Sequence, residues 1–302
     1  MRVLVTGGAG FIGAHVTEAL LLAGHEPVVV DRLDRGRSPY LPDAVALVPE
    51  DVRRVDAVVR AVAAADAVIH LAARVSVPEG EQDPLALVED NVGGTMAALV
   101  LAERLGAREF RFASTAAVYG DPRGRLPLAE RRALRPESFY GLSKQAGEDL
   151  VRRFGVTRGI TPVVLRLANV YGPGQTAAGE GGVVAQFCDR LARGLPLVRH
   201  GDGEQTRDFV YVGDVARAFV HRLGRGPAGT YNVGTGTATS VNRLGALLAA
   251  CAGRPLAWED APPRPGDVRA SVFDVRRSRR WGFAAAVALE EGLARTWEAW
   301  TT

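Results

Sequence analysis

"RVLVTGGAGFIGAHVTEALLLAGHEPVVVD", residues 2–31, decides the fold. An apolar, β-branched run (Arg2–Thr6) passes through a glycine-rich turn into apolar residues at helical spacing (Phe11–Ala23), and a second apolar run follows (Glu26–Asp31). Strand, turn, helix and strand at this length make a βαβ unit with parallel strands. Gly7, Gly8, Gly10 and Gly13 can be read as G-x-x-G-x-x-G or as G-x-G-x-x-G. After a strand and before a helix, that pattern lets backbone approach a pyrophosphate at the positive end of the helix. Asp31 closes the second run. A carboxylate there accepts hydrogen bonds from an adenosine ribose and repels a 2′-phosphate, which favours NAD over NADP. Arg32 beside it is a cation that a 2′-phosphate could use.

The alternation continues. Val45–Pro49 reads as a strand, Val52–Ala64 as a helix, Ala67–His70 as a strand and Pro84–Leu105 as a helix closed by Gly106. Glu109–Ala113 (strand), Tyr140–Phe154 (amphipathic helix) and Pro162–Leu167 (strand) complete the series. Continuous apolar strands joined by helices imply a parallel sheet covered on both faces. The expected architecture is therefore α/β: a Rossmann-type doubly wound parallel sheet over residues 1–170, with a smaller α/β substrate-binding lobe over 171–302. In that second part "YGPGQTAAGEGG", "HGDGEQTRD", "NVGTGT" and "APPRPGD" break the chain into short elements woven against the first.

Composition narrows the class. The 302 residues are 24% charged with a net charge of +3, and the arginines are scattered. Their densest cluster, Arg276, Arg277, Arg279 and Arg280, reads as a solvated helix face, so no nucleic-acid partner is expected. Cys188 and Cys251 lack metal-ligand or disulfide spacing and read as reduced thiols of a cytoplasmic protein. No signal peptide precedes the first strand, and the apolar runs fall short of the ~20 residues a membrane span requires. Neither a membrane nor a metal is expected.

"FYGLSKQAGE" places Tyr140 and Lys144 on one face of a helix. An ammonium beside a phenol stabilises the phenolate, and the pair can serve as a general base. "FASTAAVYG" ends a strand in two hydroxyls, Ser114 and Thr115, where a substrate oxygen could be held. "EDV" (Glu50–Val52) offers Asp51 to an adenine edge, and "HLAA" (His70–Ala73) offers small residues across the strand ends. His70 itself, without an acid partner in sequence, reads as a core histidine.

"TGGAGFIG", "HLAA", "STAAVYG", "YGLSK", "LRLANVYGPG" and "GDGEQTRDFVYVGDV" together resemble the extended short-chain dehydrogenases/reductases. More narrowly they resemble nucleotide-sugar epimerases of the UDP-glucose (UDP-galactose) 4-epimerase type. The resemblance runs over nearly the whole chain. It implies an NAD-dependent enzyme acting on a nucleoside-diphosphate sugar, usually as a homodimer. It assigns Thr115 (with Ser114 beside it), Tyr140 and Lys144 to catalysis, with Lys144 also on the nicotinamide ribose. It assigns Gly7, Gly10, Phe11, Ile12, Gly13, Asp31, Asp51, Val52, Leu71, Ala72, Ala73 and Asn91 to NAD. It implies that Asn169, Arg207 and Arg264 contact the substrate diphosphate, that Val183, Val198, His200, Phe209 and Asp267 lie near the nucleoside, and that "VSVPEG", with Ser76, faces the sugar.

The family's 4,6-dehydratases resemble S-T-D-E-V-Y-G after the catalytic strand and use that acid pair for elimination. This chain has Ala116 and Ala117, whose methyl groups carry no proton. Hydride chemistry is what the resemblance leaves foremost: an epimerase cycle or, alternatively, a 4-ketoreductase or dehydrogenase in the same fold, ahead of a dehydratase, a decarboxylase or a non-catalytic NAD-binding regulator. Ser271, aligned with a position that gates the sugar's C2 substituent, is small enough to admit an N-acetyl group.

Overall fold

The computed structural model describes residues 1–177, 182–263 and 268–302. The first elements are β1 (Arg2–Thr6), α1 (Phe11–Leu22), β2 (Glu26–Asp31), β3 (Ala46–Pro49), α2 (Val55–Val62) and β4 (Ala67–His70). Next come α3 (Val77–Gln82), α4 (Pro84–Val88), a π-helical turn (Glu89–Gly93), α5 (Gly94–Arg104), β5 (Glu109–Thr115), α6 (Phe139–Arg158) and β6 (Thr161–Leu167). The chain continues as β7 (Asn169–Tyr171), α7 (Val183–Ala192), β8 (Leu197–His200), β9 (Thr206–Arg207), β10 (Phe209–Tyr211), α8 (Val212–Val220) and β11 (Gly229–Val233). It ends with β12 (Thr239–Ser240), α9 (Val241–Cys251), β13 (Trp258–Ala261), β14 (Ala270–Ser271), α10 (Arg276–Trp281) and α11 (Leu289–Thr301).

Seven parallel strands form the central sheet in the order β11-β6-β5-β4-β1-β2-β3. From β1 the chain steps outward to β2 and β3, then returns to β4 on the other side of β1. That reversal opens a crevice at the carboxyl ends of β1 and β4, the position where open α/β sheets take ligands. Alternate residues of each strand enter opposite cores. Val3 and Val5 pack with Val16 and Leu20 of α1, while Leu4, Val28 and Val30 pack with Val58, Leu99 and Val151 of α2, α5 and α6. Burial on both faces explains why the strands read as unbroken apolar runs.

Several boundaries differ from expectation for local reasons. α2 starts at Val55 rather than Val52, because the Asp51 carboxylate takes the Arg53 amide and the Asp51 carbonyl takes that of Arg54. α6 runs longer than expected: Ser138 caps it by accepting from the Gly141 amide (3.1 Å), and Gly159 ends it in the left-handed region. The stretch expected as one helix over Pro84–Leu105 is interrupted by the π turn. Contrary to the sequence expectation, Pro84–Arg104 is long and apolar enough to cross a membrane (21 residues, mean hydropathy 1.4). Its α5 portion buries Ala98, Leu99, Leu101 and Ala102 against the sheet.

The smaller lobe pairs β8 with β13, β9 with β12 and β14, and β7 with β10. Helices α7, α9 and α11 close its core around Leu191, Leu244, Leu248 and Leu293. The chain weaves between lobes: α8 packs on α1 and β11 is a strand of the central sheet. Part of the sequence after residue 171 therefore belongs to the main lobe.

Candidate active site

Three of the four glycines are fixed by the protein itself. Gly7 has φ +71°, and a Cβ there would lie 2.5 Å from the Ala72 nitrogen, so the turn rests on the "HLAA" segment. A Cβ on Gly8 would meet the Val29 side chain, and one on Gly13 would collide with the Gly7 carbonyl. Gly10 is different. Its backbone is extended, it is exposed, and the nearest atom to an added Cβ is the Gly7 oxygen at 3.5 Å. No packing inside the protein demands a glycine there. Helix α1 starts at Phe11, Ile12 and Gly13 with no side-chain cap and no acid in its first turn. Open space over uncapped amides fits the diphosphate of a dinucleotide. Asp31 braces this seat: Oδ2 accepts from the Ala9 amide (3.1 Å) and Oδ1 from the Leu33 amide (2.9 Å), leaving lone pairs for ribose hydroxyls.

The neighbouring strand ends carry the other candidates. Leu71, Ala72 and Ala73 continue from β4 and are partly exposed, while Val52 is buried. Asp51 is forked by Arg53 (3.0 and 2.6 Å); although burial opposes it, this pairing, with Arg32 nearby, holds the carboxyl below its ordinary range. Asn91 is 2% exposed and committed within the protein: it accepts from the Arg74 amide (2.7 Å) and donates to the Arg74 carbonyl and to Ser143 Oγ. It shapes the loop after β4 by fastening it to α6. His70 is the core histidine expected, held between Thr6 (2.6 Å) and Thr95 (3.2 Å), with burial pushing its pKa down to about 3.

Helix α6 lies on the end of β5 because glycines let it approach. A Cβ on Gly141 would lie 2.8 Å from the Ala117 oxygen, and one on Gly147 2.6 Å from the Phe112 ring. Tyr140 and Lys144 thereby reach the strand terminus. Lys144 Nζ donates to the Ala113 carbonyl at 3.1 Å and sits 5.1 Å from the Phe112 ring centre. Burial pulls its pKa down to about 8. Burial also pushes the Tyr140 phenol up to about 12, partly offset by the Thr115 hydroxyl bonded to it. Burial is the larger influence on the Tyr140 phenol.

Ser114 and Thr115 separate as consecutive strand residues must. Thr115 is partly exposed, accepts the Ala117 amide at 3.2 Å and meets Tyr140. Ser114 is buried and donates at 2.6 Å to Oε1 of Glu148, which lies farther along the same helix as Tyr140. That hydrogen bond ties β5 to α6.

In the smaller lobe Asn169 opens β7 and is exposed, Val183 opens α7, and Val198 and His200 lie on β8, where His200 donates to the Pro262 carbonyl. Arg207 lies on β9. Phe209 is buried in the lobe's core against Tyr171 (ring centres 6.5 Å apart). Ser76 is likewise buried, its hydroxyl capping α3 by accepting from the Glu79 amide. Arg264 and Asp267 lie outside the described residues.

Comparison with known proteins gives this arrangement a family. Residues 3–234 match the NAD dependent epimerase/dehydratase family. The chain belongs to that family. Along 99% of its length it is 40% identical to UDP-glucose 4-epimerase of Mycolicibacterium smegmatis, covering 98% of that protein. It superposes on the UDP-glucose 4-epimerase of Thermotoga maritima with UDP-glucose (TM-score 0.95, 37% identity, 100% and 99% of the two chains). It also superposes on that of Thermus thermophilus in complex with NAD (TM-score 0.93, 37% identity, 100% and 99%).

Membership in an NAD-dependent family that holds both epimerases and dehydratases makes the turn after β5 informative. Ala116 and Ala117 begin a single 3₁₀ turn (Ala116–Tyr119) directly after Thr115 and supply neither acid nor base. The structure also assembles a group that sequence reading did not single out. Asp90, in the π turn, collects Arg32, Arg53 and Arg74 from the loops after β2, β3 and β4. No spacing rule links these four positions, because only the sheet order brings the loops together.

Proposed function

We propose that this chain inverts C4 of a nucleoside-diphosphate hexose, foremost a UDP-sugar, through a 4-keto intermediate. The carrying observation is the joint placement of Thr115, Tyr140 and Lys144 at the carboxyl end of β5, the sheet edge that also carries the glycine turn two strands away, with only methyl groups at Ala116 and Ala117. Thr115 holds the 4-hydroxyl, and Tyr140 takes its proton and later returns one. Lys144 supplies positive charge to the phenolate as it forms. Gly10, the α1 amides and Asp31 would hold NAD by its diphosphate and ribose, and the cofactor when bound would supply a reversible hydride acceptor. Arg207, with Arg264, anchors the diphosphate as arginine forks do, leaving the sugar free to turn over. Ser271 leaves room for an N-acetyl group. The two free cysteines support a cytoplasmic setting, and exposed apolar side chains on α4 and α6 support a homodimer.

The test is incubation of the purified protein with UDP-glucose, UDP-N-acetylglucosamine and UDP-glucuronate without added reductant, with chromatography of the products. C4 epimers are expected, and Tyr140→Phe abolishes them while NAD still binds. Absence of any epimer, or turnover only with stoichiometric reduced cofactor, overturns the reading and points to a ketoreductase.

A further inference from the structure

Arg32, Arg53 and Arg74 follow three different strands, yet all three guanidinium groups converge on one carboxylate. Asp90 Oδ1 accepts from Arg32 (3.1 Å) and pairs with Arg53 Nη1 (3.0 Å), and Oδ2 accepts from Arg74 Nε (2.6 Å) and Arg32 (3.3 Å). The Asp90 side chain is 9% exposed. Arg32 is further held through Nε by Asp34 (2.9 Å), and its Nη1 lies 3.4 Å from Asp51. All three nitrogens of Arg32 thus face carboxylates. Asp90 and Asn91 are consecutive in the π turn, and both act on the loop after β4, Asp90 through the Arg74 side chain and Asn91 through its backbone.

Arg32 immediately follows Asp31, the carboxylate assigned to the adenosine ribose. A 2′-phosphate adds about two negative charges there and binds well only where a guanidinium is free to fork onto it. Three arginines against Asp34, Asp51 and Asp90 make a neutral group, and Asp31 tips the pocket negative. We infer that Asp90 is a positioning residue that sets the preference for NAD over NADP, by holding Arg32 in an ionic knot where a 2′-phosphate cannot engage it. Asp31 repels the extra phosphate, and Asp90 removes the cation that could compensate. This rests on the placement of NAD across the strand ends proposed above.

The test is calorimetric titration of NAD⁺ and NADP⁺ into nucleotide-free wild type, Asp90→Asn, Arg32→Ala and the double variant. Asp90→Asn keeps the side-chain shape but gives up the charge. It is expected to bind NADP⁺ about tenfold more tightly or better, the gain of roughly one charge-assisted contact. NAD⁺ affinity should change less than about threefold, and the NADP⁺ gain should vanish in Asp90→Asn/Arg32→Ala. An unchanged NADP⁺ to NAD⁺ ratio in folded Asp90→Asn, or a gain that survives without Arg32, overturns the inference. If Asp90→Asn does not fold, the exposed Arg32→Ala decides. NADP⁺ affinity should then fall no further than in Arg53→Ala, which removes the same charge, and a larger fall shows that Arg32 was available all along. Failure of the NAD placement reads differently: Asp31→Ala would leave NAD⁺ affinity untouched, whereas the placement requires it to fall.

Discussion

The Lys144 ammonium donates to the carbonyl oxygen of Ala113, 3.1 Å away, from a position only 4% exposed. Burial there lowers its pKa from 10.5 to about 8. An unfolded chain keeps this lysine protonated to ~10.4, so between about pH 8 and 10 the unfolded state binds the additional proton and stability rises with pH. Below pH 8 the whole cost applies, about 3 kcal/mol at 1.36 kcal/mol per pKa unit. Lys144→Met should therefore stabilise the protein at pH 7 by about 1–3 kcal/mol, with the gain fading by pH 10, while epimerisation collapses. Urea unfolding across this pH range measures it. A gain independent of pH would show that burial of the charge is not its source. A stability cost at a reacting group is the usual exchange for function.

The glycine turn yields a paired prediction. Gly13 is packed against the Gly7 carbonyl and Gly8, while Gly10 faces open space. Gly13→Ala should cost about 1–3 kcal/mol through overpacking. Gly10→Val, at the N-cap of α1 in an extended conformation that any residue adopts, should cost no more than about 1 kcal/mol, yet weaken NAD binding at least ~100-fold by filling the pyrophosphate's place. Thermal unfolding and NAD titration on the two variants separate the roles. Equal loss of stability in both would assign Gly10 to the fold.

Ser114 and Thr115 are neighbours with opposite duties. Ser114 supports the buried Glu148, which Arg166 grips at 2.7 and 2.8 Å. Ser114→Ala leaves that pair standing and should cost about 1–2 kcal/mol with kcat within about threefold. Thr115→Val removes the hydroxyl that meets Tyr140 and should lower kcat by about 10²–10³ with little change in stability. Steady-state kinetics beside urea unfolding decides this, and a large kcat loss in Ser114→Ala would restore Ser114 to the reaction.

Much of this was legible because the signals are local. Gly7, Gly10, Gly13 and Asp31 lie within one βαβ unit, and Tyr140 and Lys144 within one helical turn. Periodicity locates such elements, and the order of a doubly wound sheet then follows from crossover handedness. What stayed hidden depends on distant partners. Ser114 looked equivalent to Thr115 until strand alternation turned it toward Glu148, and Ser76 and Asn91 look free until the Glu79 amide and the Arg74 backbone claim them. The π turn left no trace in a stretch whose apolar spacing reads as one continuous helix. The Asp90 knot draws on three loops that are neighbours only because β4, β1, β2 and β3 lie in that order.

The last prediction concerns assembly. Leu85 and Val88 on α4, and Phe139 and Leu142 on the adjoining α6, expose large apolar side chains, with Leu85 69% and Leu142 50% exposed. Each pair is spaced by three residues, so each forms a stripe along its helix. Exposed apolar stripes on two packed helices favour a self-complementary, twofold contact, in which each side chain meets its own counterpart's surroundings. Sedimentation equilibrium at micromolar concentration should give a dimer. Leu142→Glu brings two like charges into that contact and should give a monomer that still binds NAD, since Asp31 and the glycine turn lie on other elements. A wild type that sediments as a monomer at tens of micromolar removes the homodimer from the proposal. A Leu142→Glu dimer as tight as wild type moves the contact to another face.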